Sequence, residues 1–144
     1  MKIIILNLLL SCLASICFSQ DCTFFHQYHC SYEDYTFFNS SQSKSIQFRK
    51  GQTSEIEFIA YGGEEYYLAV CGSEKLSKIR FRIMADNPEK TVLFDNADNK
   101  YVNSINFTND ITKNLIIQIS VPASTRQTND TGCLGVVIQM RKIK

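Results

Sequence analysis

Two cysteines and two histidines fall inside the ten-residue stretch "DCTFFHQYHC": Cys22, His26, His29 and Cys30. Thiolate and imidazole are the ligands zinc prefers, so a metal centre is the first chemistry to weigh. Structural zinc sites use spacings such as C-x2-C followed by H-x3-H. The order here is C-x3-H-x2-H-C, which matches none of them. The expectation is therefore a disulfide framework with bystander histidines on a solvent-facing turn.

A second cluster is "DNADN", where Asp95, Asn96, Asp98 and Asn99 gather hard oxygen donors on one turn. That donor set suits calcium. The central glycine and distal glutamate of a helix–loop–helix calcium loop are missing, and Asn and Asp are also the residues any turn favours. Calcium stands as the one cofactor candidate. Tyrosines form a third group. Tyr61, Tyr66 and Tyr67 flank the "YGG" turn, and Tyr28, Tyr32 and Tyr35 precede it. Exposed tyrosines stack on sugar rings or anchor protein interfaces, so Tyr61, Tyr66 and Tyr67 are the candidate ligand surface.

Catalytic signatures are missing: neither G-x-S-x-G nor H-E-x-x-H occurs in the sequence. Glu64 and Glu65 are adjacent, and neighbouring strand residues point to opposite faces, so they do not make a carboxylate pair. No catalytic residue is assigned. A small secreted hydrolase depending on His26 or His29 is the rival class.

The elements that carry these residues are strands. From Lys44 onward the dominant period is two, with turn residues about every ten positions. "SEIEFIAY" sets Ile56, Phe58 and Ala60 against Glu55 and Glu57. "EYYLAVCG" puts Tyr66, Leu68 and Val70 on one face. "KIRFRIMA" sets Ile79, Phe81 and Ile83 against Arg80 and Arg82. "NLIIQISV" aligns Leu115, Ile117, Ile119 and Val121, and "CLGVVIQM" aligns Leu134, Val136, Ile138 and Met140. Such alternation belongs to half-buried antiparallel strands. Seven or eight short strands with regular turns predict an all-β antiparallel sandwich, jelly-roll-like, over 45–144. The aromatic-rich segment 20–44 is expected to lie across it as an irregular lead-in with one strand.

The first nineteen residues read as a secretory signal peptide: Lys2, an apolar run, then small residues at Cys17 and Ser19. "LLSC" also resembles a bacterial lipobox with Cys12 as the lipidated residue. Cleavage after Ser19 is preferred because it leaves an even set, Cys22, Cys30, Cys71 and Cys133, which favours a disulfide framework in an exported protein. Four cysteines allow three pairings. Cys71 ends one strand and Cys133 begins another, and antiparallel neighbours bring such ends together, which favours Cys71–Cys133 with Cys22–Cys30. Without Lys2 the basic and acidic residues balance, and no basic patch is legible, so nucleic acid and anionic membrane are poor partners. No later apolar stretch is long enough to span a bilayer. N-x-S/T sequons stand at Asn39, Asn106 and Asn129, and they matter only in a eukaryotic source.

The succession "GGEEYYLAV", "KIRFRIMADNPEKTVLFDNADN", "SINFTNDITKNLIIQISV" and "TGCLGVVIQM" resembles the bacterial pre-peptidase C-terminal domain, a jelly-roll β-sandwich, over roughly Ile46 to Met140. The chain also resembles small exported bacterial proteins. It departs from the domain's pattern where Lys113–Asn114–Leu115 replaces a glycine–tyrosine lead into the penultimate strand, and in its cysteines. The resemblance implies an accessory or adhesive module and supplies no catalytic residue. The resulting expectation is an exported, disulfide-stapled, non-catalytic binding or structural module. Its ligand is a protein or glycan of the cell envelope or extracellular space. A subunit of an envelope or secretion complex is the further alternative.

Overall fold

A computed structural model describes residues 21–125 and 130–143. The expected signal peptide, Cys12, Cys17 and Asn129 lie outside the described residues. Within them are nine strands: β1 (Phe38–Asn39), β2 (Lys44–Arg49), β3 (Thr53–Ala60), β4 (Glu64–Gly72), β5 (Arg80–Ala85), β6 (Val92–Asp95), β7 (Ser104–Asn109), β8 (Lys113–Ser120) and β9 (Thr131–Lys142). One short helix, α1 (Phe25–His29), precedes them, and 3-10 turns occupy Glu74–Leu76 and Asn96–Asn99.

The strands form two antiparallel sheets. One runs β1/β2–β9–β4–β7 and the other β3–β8–β5–β6. From β2 to β5 successive strands alternate between the two sheets, so each hairpin-like connection crosses the sandwich. β1 and β2 share one edge of β9, so they act as one interrupted strand. At the interruption, the Ser43 hydroxyl accepts from Ile138 N and donates to Ile138 O, substituting for the missing ladder.

The alternating sets meet between the sheets. Phe48, Tyr66, Leu68, Val70, Leu134, Val136 and Ile138 face Ile56, Phe58, Phe81, Ile83, Leu115, Ile117 and Ile119 in one continuous core. Period-two patterning is enough to produce this, because each strand offers one apolar face and the sheets bury those faces against each other. Arg80 and Arg82 take the opposite face, as their alternation requires. Both engage polar neighbours there: Arg80 pairs with Asp95, and Arg82 donates to Gln118.

All four described cysteines are oxidised, as expected of an exported protein, but the pairing differs from the expectation. The bridges are Cys22–Cys133 and Cys30–Cys71. Cys71 and Cys133 do lie on adjacent strands, yet Cys71 faces Gly135, with Cys133 offset along β9 by two residues. A diagonal pair of that kind sits about 7–8 Å apart, beyond the usual disulfide span. Each cysteine instead reaches up to the lead-in. Both staples therefore tie residues 22–30 onto the outer face of the β4–β9 sheet.

Candidate binding surface

That outer face would otherwise be apolar and wet. Tyr67, Ala69 and Val137 point outward from β4 and β9, and Phe37 covers them in a second, smaller core with Cys30 and Tyr32 alongside. Docking of the lead-in depends on one missing side chain. A Cβ at Gly135 would meet Cys30 Sγ at 2.6 Å, His26 Cα at 2.8 Å and His26 Cβ at 2.9 Å. Gly135 thus lets α1 lie directly on β9.

Polar contacts finish the attachment. Ser45 Oγ accepts from His26 N at 2.8 Å and lies 2.7 Å from His26 Nδ1. Burial pushes the His26 pKa below its ordinary value, because desolvation disfavours the charged ring. The Tyr32 hydroxyl donates to His26 O, and burial raises its pKa. Tyr67 Oη and Ser31 Oγ are 3.0 Å apart, and Glu33 N donates to Gln139 Oε1. The lead-in is consequently fixed in place by covalent, apolar and polar contacts together.

Two concavities flank this clamped segment. The first is a cleft of about 690 Å³ between α1 and the β1–β2 interruption, lined by residues including Phe24, His26, Gln27, Tyr32, Asn39 and Ser41. The second is a groove of about 530 Å³ lined by Thr36, Phe38, Glu65, Arg141, Lys142 and Ile143. Exposed apolar side chains line this groove: Phe38 is 70% exposed, and Ile143 is exposed as well. Arg141 is held from three directions. Its Nε donates to Glu65 Oε2 at 2.7 Å, its Nη1 donates to Thr36 Oγ1 at 2.8 Å, and its guanidinium lies 4.3 Å from the Phe37 ring centroid. The hydrogen bond to Glu65 raises the guanidinium pKa further.

The tyrosines singled out from sequence do not form one surface. Tyr66 is fully buried in the main core, where its hydroxyl accepts from Tyr61 N at 2.7 Å. Tyr67 is buried under the lead-in, and Tyr61 alone of the three is exposed. Adjacent strand residues must face opposite ways, which separates Tyr66 from Tyr67; both faces of this sheet are covered, which buries them.

The "DNADN" side chains fasten the crossover between sheets. Asn96 is buried; its Oδ1 accepts from Phe81 N at 2.9 Å and its Nδ2 donates to Ile79 O and Val102 O. The Asp95 carboxylate holds Arg80 and accepts from Ala97 N, and Asn99 donates to Asp95 O. The hydrogen bond from Arg80 keeps the Asp95 pKa below the usual range. Asp98 is exposed. Among the described residues no group of three or more His, Cys, Asp or Glu is placed to hold a metal ion.

The sequon residue Asn39 accepts from Gln139 at the edge of β9, while Asn106 is exposed on β7. Sequence reasoning missed Phe38 and Arg141. The signal available was a pair of adjacent phenylalanines, Phe37–Phe38, which point to opposite faces in an extended chain.

No helix among the described residues is long and apolar enough to cross a membrane. No family model and no curated protein matches the chain. Among solved structures, it is similar to PliG of Aeromonas hydrophila, a periplasmic lysozyme inhibitor of g-type lysozyme. The TM-score is 0.53 at 11% identity, over 77% of this chain and 93% of that one. At that identity the likeness is one of fold: the chain is a two-sheet β-sandwich of the kind that, in PliG, belongs to an inhibitor.

Proposed function

We propose that this exported chain is a non-catalytic module that binds another protein through the groove at the end of β9. The observation that carries the reading is that exposed Phe38 and Ile143 line one groove with a firmly held Arg141. Aromatic residues and arginine supply most of the energy at protein interfaces, and large exposed apolar side chains gathered in one place mark such sites. Rigid mounting adds to this. A side chain already held in its bound conformation loses less entropy on association, and the lead-in is held by two disulfides.

The pre-peptidase resemblance supports the same class, an accessory or adhesive module. The fold shared with a periplasmic lysozyme inhibitor makes g-type lysozyme the first partner to assay. Titration of the purified, oxidised chain against g-type lysozyme, read by biosensor and by loss of muramidase activity, tests that partner. A photoreactive residue at position 38 tests the protein class in intact cells. The expected result is a discrete protein adduct that disappears in Arg141→Ala. Absence of any protein adduct, or one indifferent to Arg141→Ala, overturns the reading.

A further inference from the structure

The cleft on the other side of the lead-in has a different chemistry. Its lining contains no Asp, Glu, Lys or Arg among the described residues. Gln27, Asn39 and Ser41 offer amide and hydroxyl groups, His26 and Tyr32 close one side, and Phe24 stands at the rim.

Phe24 is unusual on two counts. Its backbone lies in the left-handed region, with φ 62°, which a bulky residue occupies only against steric resistance. The residue is also 53% exposed. Strain of this kind persists where the surroundings enforce it, and here Cys22 and Cys30 anchor the chain on either side. The result is an apolar ring held out into water above an uncharged, hydroxyl- and amide-lined cleft.

We propose that this cleft binds a neutral carbohydrate, with Phe24 as the stacking platform and Gln27, Asn39 and Ser41 as hydrogen-bond partners. A sugar ring presents an apolar face to an aromatic ring and hydroxyls at its rim, which is the division this lining offers. A phosphate or carboxylate ligand would want a cation that the lining lacks. An extended peptide would want a free strand edge. The adjoining edge is interrupted at Ser40–Ser43, and the Gln42 amide accepts from Ile59 N at 2.8 Å and donates to Ile59 O at 3.1 Å. Gln42 therefore plugs the nearby end of β3 against strand addition. The site is independent of the protein-binding groove.

Isothermal titration of the full oxidised chain with chitohexaose, cellohexaose, maltohexaose and laminarihexaose tests the inference, with an oligogalacturonate as the charged control. Binding of at least one neutral hexasaccharide is expected, with Gln27→Ala weakening it several-fold. Phe24→Gly separates binding from folding, because it removes the ring and relieves the backbone together. Its melting temperature should stay or rise while sugar affinity falls at least tenfold. Phe24→Trp should retain binding, and Arg141→Ala should leave it unchanged. Failure of all four neutral sugars to bind, preference for the charged control, or undiminished binding by Phe24→Gly would overturn the proposal.

Discussion

Gly135→Ala tests how the lead-in is held. Taken alone, alanine is preferred to glycine inside a strand by roughly 0.5–1 kcal/mol, so a naive reading makes the substitution stabilising. The structure reverses the sign. The new methyl would stand 2.6 Å from Cys30 Sγ and 2.8 Å from His26 Cα. Carbon contacts relax at about 3.5–4.0 Å, so α1 would have to retreat by about 1 Å. The Cys30–Cys71 bridge opposes that retreat. Overpacking of this kind costs about 1–3 kcal/mol, which leaves a net loss of up to about 2.5 kcal/mol after the propensity gain. In a Cys30→Ala/Cys71→Ala background the sulfur is gone and α1 can lift, so the loss should shrink below about 0.5 kcal/mol or become a gain. Urea unfolding under non-reducing conditions, followed by circular dichroism in both backgrounds, measures the difference. If Gly135→Ala stabilises the intact protein, or costs the same in both backgrounds, the close docking of α1 on β9 is wrong.

Four further outcomes follow from the structure. Mass spectrometry of non-reduced digests should find Cys22 linked to Cys133 and Cys30 to Cys71; a Cys22–Cys30 peptide would contradict the clamped lead-in. His26 has a folded pKa below 6.5, so the unfolded chain binds more protons in the interval between the two values. Stability should be complete above that ordinary value, fall as pH drops through the interval, and level off below the folded pKa. Urea midpoints between about pH 8 and pH 5 should show this slope in the natural protein and lose it in His26→Gln. Asn96→Ala should cost about 2–4 kcal/mol by stranding Phe81 N, Ile79 O and Val102 O, whereas Asp98→Ala should stay within about 0.5 kcal/mol. Calcium is expected to leave the melting curves of the natural protein and Asp98→Ala unmoved, because the Asp95 and Asn96 oxygens already have protein partners.

The strand content was legible because alternation is a local property. Ile56, Phe58, Phe81, Ile83, Leu115, Ile117, Leu134 and Val136 face the core as their spacing requires. Oxidation of the four cysteines was legible too, from export and an even count. Less could be read before Lys44, where aromatics and serines carry no period. The five-residue α1, the buried Phe37 and the exposed Phe38 follow from what the sheet beneath them presents.

The candidate site shows the same division. Tyr66 and Tyr67 alternate in sequence, but alternation says only that they face opposite ways. It does not say that the second face is roofed. Arg141 and Glu65 are 76 residues apart, and no local pattern announces that they meet.

Short-range spacing alone decided that this chain alternates and turns, since a strand's two faces are set by neighbouring residues. Which cysteines join, and which aromatics reach solvent, awaited the tertiary structure. Those outcomes depend on register across β9 and on a single absent side chain at Gly135, both of which arise only when distant segments pack.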